Sequence, residues 1–470
     1  MNLKGICFYL GLFSFPIVFL SFINILYASY FDYFLSIEAY LITLSVSLIS
    51  ALGLYVYGRK AIKKIDFIEQ LILIILVYFF VGFLISIPYY FNNFQISFVN
   101  AFFESISGLT ATGFTIFENI KYLDPTLILW RSSSQWIGGL YFLIFLTLLF
   151  SNKTFNFKMT NLTFPGDSNF NSTENIKNHL LKLFIFYTSL SFIFLLLLSI
   201  ADVRLFNSVN LGMTLISGGG FLPTDNLSNI ISTNSQKTVL ILMFFLSITN
   251  FYLIFNLFNT RVLLKSHKED MYLLGLITIL TFLILFNDFD IFDLLISILS
   301  SLANSGLTLV SSDNNLGLYF LFITIVGGSL VSNTSGIKLA RLYILLKITS
   351  SEIIKLISPN SVINRTIFNS ENKINDDNIK ISFLIFISFF LSLFILSSLL
   401  VIDDIGFERS FKLSILTLTN TVNSEMFNLQ NFSFSKLLTS SKLVLITFMI
   451  IGKIELISIF LIIKRIFFKD

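Results

Sequence analysis

The sequence has little charge, one cysteine and two histidines. Only 12% of its 470 residues are Asp, Glu, Lys or Arg, whereas soluble domains have roughly 25%. The single cysteine, Cys7, excludes an intramolecular disulfide framework, and two histidines make a zinc or haem site improbable. Hydrophobic residues instead make up 55% of the chain, and the mean hydropathy is +0.84. This composition indicates an integral membrane protein.

Motifs of membrane-embedded enzymes are also missing. The apolar segments contain no H-E-x-x-H motif, no paired intramembrane aspartates and no nucleophile–base set. We therefore expect that the chain is not an enzyme and that it carries no covalently bound cofactor. A nucleic-acid partner is not expected either.

Ten apolar segments approach or exceed the length of about 20 residues that crosses a bilayer. Residues 270–287 are marginal, and residues 318–348 are too long for a plain span. The last eight segments fall into four pairs. The ten segments are 5–30, 37–57, 68–92, 126–150, 180–202, 236–259, 270–287, 318–348, 380–402 and 440–463.

The positions of Lys and Arg predict the orientation. If the amino terminus is cytoplasmic, most of the 31 basic residues fall in inner connections, for example in residues 59–64 and 464–469. Acidic residues such as Asp290 and Asp403 fall in outer connections. We therefore expect a multi-pass protein of the cytoplasmic (inner) membrane with both termini in the cytoplasm.

The connections within the four pairs share one pattern. Each has about three turns of apolar, helix-period sequence and then a polar tip of Gly, Thr, Ser or Asn. These apolar stretches are too short to span, so each connection predicts a re-entrant half-helix followed by an extended loop. The repeat has a period near 100 residues. The connections are FVNAFFESISGLTATGFT (98–115), FNSVNLGMTLISGGGFLPT (206–224), FDLLISILSSLANSGLTLV (292–310) and FKLSILTLTNTVNSEMFNL (411–429).

The physics of this unit favours a cation path. A half-helix that enters from outside points its partially negative carboxyl end at the membrane centre. The returning loop has unpaired carbonyls, which are tolerated only where they line a water- or ion-filled cavity. Four such loops around one axis can replace the hydration shell of a potassium ion. A single loop of this kind is more simply an extracellular turn, but four at matched positions favour the cation path.

Seven motifs, in order, resemble the Trk/Ktr/HKT superfamily of potassium transporters, and most of all its bacterial TrkH-type uptake subunit. The resemblance covers nearly the whole chain. The motifs are FFESISGLTATGFT (102–115), LWRSSSQWIGGLYFLIF (129–145), PGDS (165–168), SGGGF (217–221), ANSGLT (303–308), VGGSLVSNTSGIKLARLYILLK (326–347) and IGKIELISIFLIIKR (451–465).

The resemblance implies an all-α polytopic membrane protein with four M1–pore helix–M2 repeats around one pore, preceded by two extra transmembrane helices. It also implies a homodimer with one pore per subunit, a cytoplasmic nucleotide-binding regulatory subunit, and the potassium ion as substrate. The implied divisions are 1–64 for the two extra helices, then pore repeats at 65–152, 178–262, 269–350 (with an intramembrane gating loop) and 378–470.

Carried onto this sequence, the resemblance implies a selectivity filter built from three residues of each loop. The fourth loop departs from the family pattern because it has no glycine where Val422 stands. A β-branched residue resists positive φ, so this departure predicts a redirected carbonyl or a shifted loop. The filter residues are Ala111, Thr112 and Gly113; Gly218, Gly219 and Gly220; Asn304, Ser305 and Gly306; and Asn420, Thr421 and Val422.

The resemblance also implies a gating loop beneath the filter. Three glycines and five Ser, Thr or Asn residues interrupt the long eighth segment, and such a break must line the pore or pack inside the bundle. A packing kink is the alternative. Lys453 matches a basic residue of the family below the filter, with a snorkelling lysine or a pair with Glu455 as alternatives. The implied gate residues are Gly327, Gly328, Ser329, Ser332, Asn333, Thr334, Gly336 and Lys453.

Potassium uptake through a channel-like path is therefore the leading expectation. Because the fourth loop lacks glycine, a sodium-permeable or poorly selective relative is the second reading, and a non-conducting homologue stays open. Glu104, in the first half-helix, is expected to be a structural hydrogen-bonding carboxylate.

Overall fold

The computed structural model describes residues 2–61, 65–92, 96–150, 173–253, 268–284, 290–310, 316–361, 364–369, 373–429 and 432–454. Within these ranges the regular structure is helical, apart from one antiparallel bridge between Thr366 and Lys373. The PGDS motif and most of the last motif, residues 451–465, lie outside the described residues.

The α-helices are numbered in chain order. They are α1 (Leu3–Tyr30), α2 (Phe34–Gly58), α3 (Phe67–Tyr90), α4 (Phe98–Leu109), α5 (Pro125–Phe150), α6 (Thr173–Ile200), α7 (Leu205–Ile216), α8 (Asn234–Ile248), α9 (Lys268–Ile284), α10 (Ile291–Leu302), α11 (Gly317–Val326), α12 (Leu339–Ile357), α13 (Asp376–Ile402), α14 (Phe407–Leu418) and α15 (Thr439–Ile454).

Six stretches of the described helices are long and apolar enough to cross a membrane. They lie in α1, α2, α3, α5, α6 and α13. The observed architecture matches the predicted fold class, an all-α polytopic membrane protein. In α1 and α2, close packing depends on glycine, because a Cβ atom at Gly11 would lie 2.8 Å from the backbone nitrogen of Tyr55.

Two predicted spans are interrupted in the structure. Helix α8 ends at Ile248, where the sequence predicts a span to about residue 259, and Thr249 is extended. Helix α11 ends at Val326, and helix α12 begins only at Leu339. Each interruption frees backbone groups, and those groups bond to one another, since the Ile248 carbonyl accepts from the amide of Ser329 at 2.9 Å. The break in α8 was not predicted.

Four helices of twelve residues, α4, α7, α10 and α14, occupy the predicted half-helix positions. Their carboxyl-terminal halves are buried, whereas their first residues are more exposed. Each is thus too short to cross a bilayer and ends inside the protein. At the start of α10, a hydrogen bond from Lys237 of α8 lowers the pKa of Asp290.

Candidate functional site

The four twelve-residue helices end in the same backbone motif. The residue after the helix C-cap is left-handed in every case: Ala111 (φ 59°), Gly218 (67°), Asn304 (58°) and Asn420 (51°). The amide of the next residue bonds to a carbonyl five residues back, as in Thr112 to Ser107 at 2.9 Å. Together with a second bond from the left-handed residue, this is a Schellman motif. We call the left-handed residue and the two after it the first, second and third filter positions.

The fourth loop is not shifted. Its second-position amide, Thr421, bonds to the Leu416 carbonyl at 2.8 Å, which repeats the pattern of the other three loops. The expectation of a shifted loop is therefore wrong. The residue that must be left-handed is Asn420, and asparagine tolerates that conformation. Alanine does not tolerate it as well, so Ala111 adopts it at a cost of about 1 kcal/mol.

The structure brings the twelve predicted filter residues together, and all of them are buried. The side-chain amide of Asn420 donates to the Thr112 hydroxyl at 2.9 Å and so joins the first and fourth loops. The Ser305 hydroxyl donates to the Gly219 carbonyl at 2.6 Å and joins the second and third. A Cβ atom at Gly113 would lie 3.0 Å from the Cα atom of Gly220. The loops therefore form a ring in chain order.

The third filter position alternates around this ring. Gly113 (φ 86°) and Gly306 (69°), in the first and third loops, are left-handed. Gly220 and Val422, in the second and fourth loops, lie outside that region. The position of Val422 therefore does not require a positive φ, and its β-branched side chain causes no backbone strain there.

The Val422 side chain fills space between the other three loops. A Cβ atom added at Gly220 would lie only 2.5 Å from the Val422 Cβ atom. Cβ atoms added at Gly113 and Gly306 would lie 3.1 Å from its Cβ and 3.0 Å from its Cγ1. The valine reaches from the fourth loop to the second, so apolar carbon narrows the ring at the third position.

A cavity of about 530 Å³ opens beside the third position, and we call it the mouth cavity. Gly113, Gly220 and Val422 lie at its floor. Its wall has three carboxylate and two basic side chains. These are Glu118, Asp225, Glu425, Arg131 and Lys436.

The segment between α11 and α12, residues 327–338, lies against the opposite side of the ring, and we call it the gate segment. The Ser335 amide donates to the side-chain oxygen of Asn304 at 3.0 Å. The Ser335 hydroxyl donates to the side-chain oxygen of Asn420 at 3.0 Å. The side-chain amide of Asn333 donates to the Ile216 carbonyl at the end of α7, at 2.6 Å. The gate segment is thus bonded to three of the four loops or pore helices.

Two buried lysines hold the gate segment. Lys338 donates to the Ser332 carbonyl at 3.1 Å and to the Thr334 carbonyl. Lys453, in α15, donates to the Asn333 carbonyl at 3.2 Å. Both ammonium groups face the ring of Phe142, at 5.6 and 4.5 Å from its centroid. The predicted partner Glu455 lies outside the described residues.

Comparisons with known proteins show that the chain is similar to transporters. The chain is 25% identical to the Trk system potassium uptake protein TrkG of Escherichia coli over 404 residues. The matched region covers 81% of each chain. It is 26% identical over 293 residues to an uncharacterized cation transporter of Methanocaldococcus jannaschii, which covers 61% of this chain and 60% of that protein. The crystal structure of the potassium transporter TrkH from Vibrio parahaemolyticus matches with a TM-score of 0.84 at 19% identity, over 100% of both chains. No protein-family model matches.

The resemblance to the Trk-type potassium transporters is confirmed. The solved TrkH structure has the same fold as the chain along its whole length. The named relatives are transporters and uptake proteins, which agrees with the expectation that the chain is not an enzyme.

Two acidic residues at the gate segment were missed from the sequence. The Glu269 carboxylate accepts from the Leu330 amide at 2.9 Å, and the Asp270 carboxylate accepts from the Asn250 amide at 2.9 Å. Both side chains are buried. They stand beside Lys268 at the edge of an apolar run, where the sequence suggests ordinary surface charge. The polar pair Thr249-Asn250 inside the preceding apolar run was the signal for a break.

Proposed function

We propose that the chain is a channel-like transporter that carries potassium ions across the cytoplasmic membrane through the ring of four filter loops. The observation that carries this proposal is the convergence of four loops with one backbone register. Four helix carboxyl ends, each partially negative, point at one place, where a cation is favoured. Buried carbonyl and hydroxyl oxygens of the first and second positions supply the ligands that replace water. The names of TrkG and TrkH support potassium as the ion.

The gate segment is the barrier beneath this site in the proposal. A cation that leaves the ring must pass residues 327–338, which are bonded to Asn304 and Asn420. Passage requires the two hydrogen bonds from Ser335 to Asn304 and Asn420 to break. Lys338 and Lys453 either continue to hold the gate segment or release it. The acidic pair Glu269 and Asp270 holds the same assembly from the other side.

A sodium-permeable or poorly selective transporter is the second candidate, and Val422 favours it. Selectivity for potassium depends on carbonyl ligands around the ion, and a valine side chain in the ring displaces such ligands at the third position. If the valine and the gate segment both stay in place, the homologue is non-conducting.

The assembly belongs to the proposal as well. We propose a homodimer with one ring per subunit, both termini in the cytoplasm, and a cytoplasmic nucleotide-binding regulatory subunit. The gate segment supports a regulator, because a segment with this many buried hydrogen bonds needs an external source of free energy to move. The names of the relatives as parts of a Trk system support the same view.

Ion flux into proteoliposomes tests the proposed function. Purified protein is reconstituted, and potassium and sodium uptake are measured separately, with empty liposomes as the control. We expect potassium flux above the control and above sodium flux. Equal fluxes would favour the second candidate, and no flux of either ion, with correctly inserted protein, would contradict transport by the chain alone.

A further inference from the structure

A buried ion pair lies behind the first filter loop. The Arg131 Nε atom donates to Glu104 Oε1 at 2.9 Å, and the two side chains are 1% and 0% exposed. Glu104 also accepts from the Thr115 hydroxyl at 3.0 Å and from the Ile116 amide at 2.9 Å. The carboxylate therefore ties the pore helix α4 to the backbone just after the filter and to helix α5.

The guanidinium of Arg131 continues this connection to the second loop. It lies 4.1 Å from the centre of the ring of Phe221, the residue that follows Gly220 in the sequence. It also lines the mouth cavity, and its Nη1 and Nη2 atoms have no hydrogen-bond partner among the described residues. The amide of Phe221 donates to the side chain of Gln135, one helical turn beyond Arg131, at 3.2 Å.

The third loop has a neutral version of the same brace. Glu104 lies nine residues before Gly113, and Thr115 lies two after it. At the same offsets from Gly306 stand Ser297 and Thr308, whose hydroxyls are hydrogen-bonded at 3.0 Å.

The second and fourth loops lack this hydrogen bond, although the second loop is held in another way, because the Thr214 hydroxyl of α7 donates to the Phe221 carbonyl at 3.0 Å. The matching positions are Leu211 and Leu222 in the second loop, and Leu413 and Ser424 in the fourth. Neither pair can form a hydrogen bond between its side chains, because one or both members are leucine.

The braced loops are also the two whose third filter position is left-handed. Gly113 and Gly306 have this conformation, whereas Gly220 and Val422 do not. Glycine gives the backbone freedom that must be restrained if a carbonyl is to keep one direction. The brace attaches two residues after each left-handed glycine, at Thr115 and Thr308, and so restrains the backbone that follows the glycine.

We propose that Glu104 with Arg131, and Ser297 with Thr308, are positioning residues that hold the left-handed third positions of the first and third loops and thereby set the preference of the filter between potassium and sodium. This inference rests on the proposed function. A restrained pair of loops holds its carbonyls at one spacing and so penalises a smaller ion.

The test compares variants of both braces by their potassium-to-sodium flux ratio in proteoliposomes. We expect Arg131→Gln and Glu104→Gln to lower the ratio about tenfold, the scale of one charge-assisted hydrogen bond. Arg131→Lys keeps the charge and should retain part of the preference. Ser297→Ala, which deletes a single hydroxyl, should lower the ratio about threefold. Lys237→Gln breaks an ion pair to Asp290 away from the filter and should leave the ratio unchanged.

The second readout is stabilisation of the protein by each cation, measured as the shift in melting temperature with potassium or sodium concentration. Brace variants should narrow the difference between the two ions. If Arg131→Gln does not fold, Ser297→Ala and Thr115→Val decide. Folded variants with the wild-type flux ratio and the wild-type difference in stabilisation would overturn the brace and leave the proposed function intact. A wild-type protein with neither flux nor cation-dependent stabilisation would overturn both.

Discussion

At the scale of single residues, Val422 is the one that we expect to matter most for the proposed function. Its side chain contacts the positions of three glycines in the other loops, and its backbone follows the common register. It therefore acts through its volume and its apolar surface. Hydrophobic constrictions impede ions because water leaves them readily.

We predict that the size of residue 422 controls both flux and selectivity. Val422→Gly should raise potassium flux and the potassium-to-sodium ratio, because it completes the ring of third-position backbone groups. Val422→Ala should be intermediate, and Val422→Ile should reduce flux below that of the wild type. The measurement is flux of both ions into proteoliposomes at equal protein content. A flux that does not follow the order Gly, Ala, Val, Ile would contradict the constriction.

The glycines opposite Val422 give a second prediction. A Cβ atom at Gly220 would meet Val422 at 2.5 Å, so Gly220→Ala should abolish flux in the wild-type background. Val422→Gly should restore part of it, because the valine side chain is the nearest obstacle, while the Ser305 carbonyl remains 2.9 Å from the added Cβ atom. Gly113→Ala should not be restored as well, because Gly113 also has a φ of 86° that alanine resists. Equal recovery of both variants would show that the left-handed conformation does not matter at Gly113.

At the scale of structural elements, the gate segment and the broken helix α8 stabilise each other. The Phe251 amide donates to the Val331 carbonyl at 2.8 Å, as the Ser329 amide does to the Ile248 carbonyl. Two irregular segments can lie at this depth because each supplies the hydrogen bonds that the other lacks. Movement of the gate segment therefore involves α8 and α9 in addition to α15.

Lysine substitutions in α15 test the gate. We expect Lys453→Ala to raise basal cation flux without a regulator. The variant removes the bond from Lys453 to the Asn333 carbonyl of the gate segment, and it removes a positive charge from the proposed path. Lys453→Arg should keep the wild-type rate. Lys442→Ala is a matched control on the same helix, since Lys442 bonds to the Ser435 carbonyl and not to the gate segment. An equal increase in both alanine variants would indicate a general loosening of α15.

The packing of α1 on α2 predicts opposite signs for two glycine substitutions. Gly11→Ala places a Cβ atom 2.9 Å from the Ala51 carbonyl and should destabilise the protein by about 1–3 kcal/mol. Gly53→Ala meets nothing within 4 Å and should stabilise it by up to about 1 kcal/mol, because alanine favours helix. Thermal unfolding in detergent measures both. A destabilising Gly53→Ala would mean that another surface covers this face of α2.

Much of the site could be predicted from the sequence because its elements are local. About three turns of apolar, helix-period sequence followed by a glycine, serine, threonine or asparagine tip identify each half-helix and its loop. The interactions that could not be predicted join distant residues. The contact of Val422 with Gly220 depends on how four loops meet, and the bond between Glu269 and Leu330 depends on two helix breaks that face each other.

Of the two expectations for the fourth loop, the shifted loop was wrong, and the redirected carbonyl of Val422 stays a prediction. The glycine-free sequence suggested that Val422 must resist a positive φ, but the left-handed residue of this loop is Asn420. The first and third loops have a left-handed glycine at the third position, whereas the fourth loop keeps the common register without one. The sequence alone does not show this difference between the loops.

At the scale of the whole molecule, the proposed cation path has two narrow regions in series. Val422 narrows the ring of filter loops on the side that faces the mouth cavity. The gate segment covers the ring on the opposite side. The first and second filter positions lie between them, and in the proposal their oxygen atoms surround the ion. Transport requires that an ion binds there and that both regions let it pass.

The most direct test is to locate the ion in crystals of the protein soaked with thallium(I), which replaces potassium and gives a strong anomalous signal. The account predicts an anomalous peak on the axis of the ring, surrounded by oxygen atoms of Ala111, Gly218, Asn304 and Asn420 or of the residues that follow them. The peak should weaken when potassium competes. A peak confined to the carboxylates of the mouth cavity, with none inside the ring, would contradict the assignment of the four loops as a cation site.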